Sequence, residues 1–118
     1  MTTFGIIIPD FAPTRTNALL GSHWAKAGRL KRIDREMIGG YFLVGRFPKA
    51  TGKRRVRLRV VVDGVGRMGD PDGYLKSCLD ALVKCGALLD DSARWCELET
   101  PVVERGDSPR TEIILTDL

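Results

Sequence analysis

The stretch Gly69 to Ser92, GDPDGYLKSCLDALVKCGALLDDS, sets two aspartates around a proline, follows them with an amphipathic helical pattern, and closes on a second acidic pair. Pro71 fixes its own φ and biases Asp70 toward an extended conformation, so Asp70 and Asp72 are expected to leave the backbone on the same side. From Gly73 the spacing turns helical. Leu75, Cys78, Leu79 and Leu82 recur at three- and four-residue steps, and Gly86 stands where a left-handed C-terminal cap belongs. The spacing predicts a helix from about Gly73 to Cys85. Asp72, Lys76 and Asp80 follow at four-residue steps along the flank of the apolar stripe, which keeps the lysine near the carboxylates. Ala87 to Leu89 then make a short apolar return, and Asp90, Asp91 and Ser92 form a turn that would bring acid back toward Asp70. Together these acids make a candidate metal cage, and its all-oxygen character suits a hard cation such as Mg²⁺ or Mn²⁺. The same residues also fit plainer roles: Asp72 as a helix N-cap, Asp90 to Ser92 as ordinary turn chemistry, and Asp72, Lys76 and Asp80 as ion pairs on a helix surface.

Upstream, Phe4 to Pro9 (FGIIIP) reads as a buried strand and Pro13 to Asn17 (PTRTN) as a loop, with Ser22 able to cap the next helix. From His23 to about Val44, Leu30, Ile33, Met37, Ile38, Tyr41, Phe42 and Val44 keep helical spacing, while Lys26, Arg29, Lys31, Arg32 and Arg35 crowd the other face. Gly39-Gly40 weakens this helix by roughly 1 kcal/mol per glycine relative to alanine, so a kink or early end is expected there. Trp24 fits either a core position or a base-stacking platform, and an aromatic opening an amphipathic helix favours the core. After a loop at Phe47 to Lys53, Arg54 to Val62 alternates: Val56, Leu58, Val60 and Val62 face one way, and Arg55, Arg57 and Arg59 the other. That arginine row fits two roles equally, a clamp on phosphates or a solvated strand face. Asp63 to Gly69 is a glycine-rich approach to the acidic segment. Ala93 to Val103 and Thr111 to Thr116 read as two more strands joined by a turn at Gly106 to Pro109, a C-terminal hairpin completing the sheet.

The formal charge of +4 is unevenly spread: residues 1–67 carry 14 Lys/Arg against 4 acids, and residues 68–118 carry 5 against 11. Such a split fits a polyanion-binding face with an acidic cluster set into it, or equally a solvated charged surface. With 118 residues the chain is expected to be one domain with one core. No apolar run is long enough to span a bilayer, and Met1 to Pro9 lacks a basic signal-peptide head, so no membrane partner and a cytoplasmic location are expected. Three cysteines, with no C-x-x-C and with Cys78 and Cys85 about 10 Å apart along a helix, are expected to stay reduced and partly buried. A single histidine, His23, argues against His-based zinc or His-Cys catalysis, and the lack of G-x-S-x-G or Walker sequences argues against mononucleotide hydrolysis by those routes.

The acidic segment resembles the RusA-like Holliday junction resolvases, a bacterial and phage family of DNA recombination and repair that cuts four-way DNA junctions with Mg²⁺. The family's run is Asp-x-Asp-Asn, a lysine four residues after the second aspartate, Asp-Ala-Leu, a closing glycine and an Asp-Asp pair. Here it appears without a gap as Asp70, Asp72, Lys76, Asp80-Ala81-Leu82, Gly86 and Asp90-Asp91. By that resemblance Asp70, Asp72 and Asp91 would hold the metal and act in catalysis, Lys76 would be the catalytic cation, and Asp90 and Asn17 would support the site from behind. Gly73 stands where the family carries asparagine, which removes an amide able to make several hydrogen bonds beside the site. Pro13 to Asn17 is similar to a loose form of the family's Pro-Pro-Ser-x-Asn segment. Elsewhere the resemblance lies in element order alone.

The expected fold is therefore a single α/β (α+β) domain over residues 1–118, a mixed sheet of about four strands packed by two helices. The expected function is a Mg²⁺-dependent endonuclease, with Mn²⁺ as a substitute, that resolves branched DNA as a two-fold homodimer. Lys26, Arg29, Arg32, Arg55, Arg57 and Arg59 would hold the DNA through salt-sensitive phosphate contacts. Two alternatives are a RusA-like DNA-binding module impaired in cleavage and a non-nuclease protein-interaction domain.

Overall fold

The sheet is built on Arg54–Val62 (β2), whose backbone pairs with other strands along both of its edges. The computed structural model describes residues 2–15, 23–63 and 70–118. In chain order the elements are β1 (Thr3–Pro9), α1 (Trp24–Val44), β2, a 3₁₀ turn (Pro71–Tyr74), α2 (Leu75–Lys84), β3 (Cys96–Leu98), β4 (Val102–Arg105) and β5 (Arg110–Asp117). The strands form one mixed five-stranded sheet. β5 lies antiparallel between β1 and β2, while β3 and β4 both run parallel to β2 along its other edge.

Two expectations about the C-terminal strands need correcting. The stretch read as one strand from Ala93 is two short ones. Residues 92–95 turn first, with the Trp95 and Cys96 N–H groups donating to the Ser92 carbonyl, and Pro101, which has no N–H to offer a ladder, separates β3 from β4. β4 and β5 are not a hairpin either, since β2 runs between them.

One face of the sheet is covered. Ile6, Ile8, Val56, Leu58, Val60, Ile113 and Leu115 pack beneath Ile38 and Phe42 of α1 and Cys78, Leu79, Ala81 and Leu82 of α2. α1 follows its predicted range and continues through Gly39-Gly40 without a break. Gly39 is buried, and a Cβ there would lie 3.4 Å from Cys85 Cβ, so the glycine sits where the two helices approach each other. α2 ends as its sequence indicates: Gly86 has φ +87°, its N–H donates to the Val83 carbonyl and the Ala87 N–H to the Leu82 carbonyl, a Schellman closure. The α1 N-cap is His23, whose ring accepts from the Ala25 N–H at 3.3 Å. Ser22, expected in that role, lies outside the described residues.

Arg54 shares the inward phase of Val56 and Leu58 and is 1% exposed. Its guanidinium donates to Asp117 Oδ1 at 2.7 Å and to the Ala87 carbonyl at 3.0 Å, and lies 5.0 Å from the Phe4 ring centroid. Arg54 thus joins the α2 C-terminal turn to the end of β5. All three cysteines are free thiols. Burial pushes the Cys78 thiol up to about 12 and the Cys85 and Cys96 thiols upward as well, which disfavours the thiolate form at all three. Among the described residues no helix is long and apolar enough to cross a membrane.

Candidate functional site

The acidic segment does not extend through Pro71. Asp70 is extended (φ −74°, ψ 126°), but its side chain accepts from the Asp72 N–H at 3.1 Å and its carbonyl accepts from the Gly73 N–H at 2.9 Å, closing the 3₁₀ turn. Proline suits the first position of that turn because its φ is already near the helical value and the N–H it lacks needs no partner there. Asp70 therefore takes the capping role read for Asp72, and the two aspartates do not alternate along a strand. Asp72 is exposed within the turn, Lys76 is exposed at the second position of α2, and Asp90 and Asp91 are exposed just past the α2 cap.

The Ser92 hydroxyl and the Asp91 backbone hold the Asp90 carboxyl below the usual aspartate range. Asp90 thus stays ionised to lower pH, and its contribution to the turn, present near neutrality, is lost as pH falls through that lowered value. Asp80 pairs across to Arg35 of α1 at 3.8 Å, so it braces the two helices.

Among the described residues no group of three His, Cys, Asp or Glu side chains is placed to hold a metal ion, and Asp70, Asp72 and Asp91 are each exposed. Their chemistry, carboxylate oxygen with no soft ligand, is the kind a hard cation takes. Asn17 lies outside the described residues, as do residues 64–69 of the glycine-rich approach.

The arginine row on β2 is occupied. Arg55 Nε lies 3.1 Å from Glu97 Oε2 and Arg57 Nε 2.7 Å from Glu99 Oε2. Arg59 pairs with Glu104 and, at 3.5 Å, with Glu112, which also takes Arg110 at 2.6 Å. The Arg57 guanidinium holds the Glu99 carboxyl below its ordinary range. This geometry supports the solvated, ion-paired reading of the face, since phosphates would have to displace carboxylates already in place. The signal was present in the sequence: Glu97-x-Glu99 repeats the two-residue step of Arg55-x-Arg57, and Arg55 sits opposite Glu97 in the parallel register.

On α1, by contrast, Lys26, Arg29 and Arg32 are exposed at three-residue steps and have no acidic partner among the described residues. Trp24 is 80% exposed beside them, tilted against His23 with ring centroids 5.4 Å apart. The core placement favoured for this tryptophan is thus overturned: it lies outside the core cluster, which α1 enters only further along, at Ile38 and Phe42. No protein-family model matches the chain, and no curated protein matches it.

Proposed function

We propose that the chain is a Mg²⁺-dependent, structure-selective endodeoxyribonuclease of the RusA-like type, acting on four-way or otherwise branched DNA in recombination and repair. The observation that carries this reading is the acidic segment itself: Asp70, Asp72, Lys76 and Asp91 are all solvent-facing around one 3₁₀ turn, one short helix and its cap. Asp70, Asp72 and Asp91 would hold the cation, which when bound polarises a phosphate and activates water. Lys76 would offset negative charge growing on the phosphoryl oxygens. Lys26, Arg29 and Arg32 would take flanking phosphates, and Trp24 offers an exposed ring to an unpaired base. Single-turnover cutting of a synthetic four-way junction, with and without Mg²⁺, tests the reading.

Gly73 supports the alternative of an impaired module, because the family's asparagine is missing there. The position has room for one: a Cβ on Gly73 would meet nothing within 4 Å. Gly73→Asn is expected to raise the single-turnover rate about 10-fold or more, the scale on which contacts behind a metal site act, without tightening DNA binding. An unchanged or lower rate would show that the contact is not used here.

Two symmetric cuts in a junction call for two sites related by a two-fold axis. α1 carries Ile33, Tyr41 and Val44 exposed along its length, apolar surface that a second copy would bury. Light scattering at micromolar concentration is expected to give twice the 13.1 kDa chain mass; the single-chain mass with and without DNA would contradict the dimer.

A further inference from the structure

Asp34 is the one acid on α1 in phase with its buried stripe, four residues from both Leu30 and Ile38, and it is 2% exposed. A buried carboxylate is costly unless its oxygens are hydrogen-bonded. Asp34 Oδ2 accepts from the Thr14 N–H at 2.8 Å and from the Ser77 hydroxyl, so one carboxylate joins the loop after β1 to α1 and α2. The same loop is tied at its other end, where the Asp10 N–H donates to the Pro109 carbonyl at 2.9 Å and the Thr111 hydroxyl to the Phe11 carbonyl at 2.6 Å.

The residue after Thr14 is Arg15, whose guanidinium carbon lies 6.0 Å from the Tyr74 ring centroid. Tyr74 ends the 3₁₀ turn, two residues past Asp72 and two before Lys76. Arg15 has no carboxylate partner among the described residues, unlike the β2 arginines. A guanidinium over an aromatic ring at that distance keeps its N–H donors available to an oxyanion.

We propose that Arg15 contacts the phosphate chain beside the acidic segment and that Asp34 is the positioning residue that holds it there. This rests on the nuclease reading above. Arg15 supplies a second cation near Tyr74, the residue midway between Asp72 and Lys76 in the acidic segment, placed by a buried anchor so that little reorganisation is needed when charge develops on the phosphate.

The test compares wild type, Arg15→Ala, Arg15→Lys, Asp34→Asn and the Arg15→Ala/Asp34→Asn double variant in single-turnover cutting of a four-way junction with Mg²⁺ at saturating protein. Gel-shift affinity and melting temperature are measured alongside. Arg15→Ala should cut about 100-fold more slowly with little change in affinity, and Arg15→Lys should recover much of that loss. Asp34→Asn, which keeps an acceptor oxygen and the side-chain volume, should also slow cutting, and the double variant should be no slower than Arg15→Ala alone because Asp34 acts through Arg15. Wild-type cutting matched by Arg15→Ala would overturn this inference and leave the nuclease reading intact. A loss of affinity in proportion to the loss of cutting would also overturn it, by making Arg15 a general DNA contact. No cutting by wild type would remove the inference together with the reading beneath it.

Discussion

Arg54→Ala is expected to destabilise the fold by about 3–5 kcal/mol, which for a chain of this size lowers the melting temperature by roughly 12–20 °C. The loss has three sources in the geometry. The Ala87 carbonyl, buried at the α2 cap, is left without the guanidinium 3.0 Å away that donates to it. Asp117 loses its partner at 2.7 Å at the end of β5, the smallest of the three because its side chain is 41% exposed and water takes the place of the guanidinium. The space filled by a nearly fully buried arginine stem against Phe4 becomes a cavity. Arg54→Met separates these terms, because methionine refills much of the space and restores neither donor; it should recover part of the stability, with the remainder measuring the orphaned polar groups. Thermal and urea unfolding of the two variants beside wild type checks this. A loss below about 1 kcal/mol for Arg54→Ala would mean that solvent reaches the Ala87 carbonyl in its place.

The second large effect is a separation of binding from chemistry. DNA affinity should rest on α1: replacing Lys26, Arg29 and Arg32 together by alanine should weaken junction binding and reduce the slope of log affinity against log salt by about 2–3, one counterion per lost phosphate contact. Arg57→Ala should leave both nearly unchanged, because Glu99 at 2.7 Å already neutralises that guanidinium. Asp72→Asn should do the opposite of the triple variant, abolishing cutting while affinity stays equal or rises slightly, since a negative charge near the phosphate chain is removed. A gel-shift series over salt concentration distinguishes these outcomes, and strong weakening by Arg57→Ala would return the binding surface to the sheet.

The helices and β2 were legible because their signals are local. The four-residue step from Asp34 through Ile38 to Phe42 on α1, a glycine closing α2 with its Schellman bonds, and strict alternation from Arg55 to Val60 each depend on neighbours a few residues away. Strand order depends on pairings far apart in sequence. The turn chemistry at Gly106 to Pro109 suits a hairpin, yet Val102–Arg105 pairs with Arg59–Val62, and the turn carries the chain over to the far edge of β2.

At the site, residue type was readable and local geometry was not. Pro71 favours an extended Asp70 and Asp72, whereas the Asp70 carboxylate recruits the Asp72 N–H and folds the pair into a turn. Arg54 and Asp34, the two most deeply buried charged groups among the described residues, are each in phase with an apolar stripe. That phase is the signal that marks them, and it competes with the general preference of a charge for solvent.

The most direct measurement is single-turnover cutting of a synthetic four-way junction by the wild-type protein with and without Mg²⁺, beside Asp72→Asn under the same conditions. The account predicts cutting that appears only with the metal and disappears in Asp72→Asn although the junction stays bound; undiminished cutting by Asp72→Asn, or wild-type binding with no metal-dependent cutting, would contradict it.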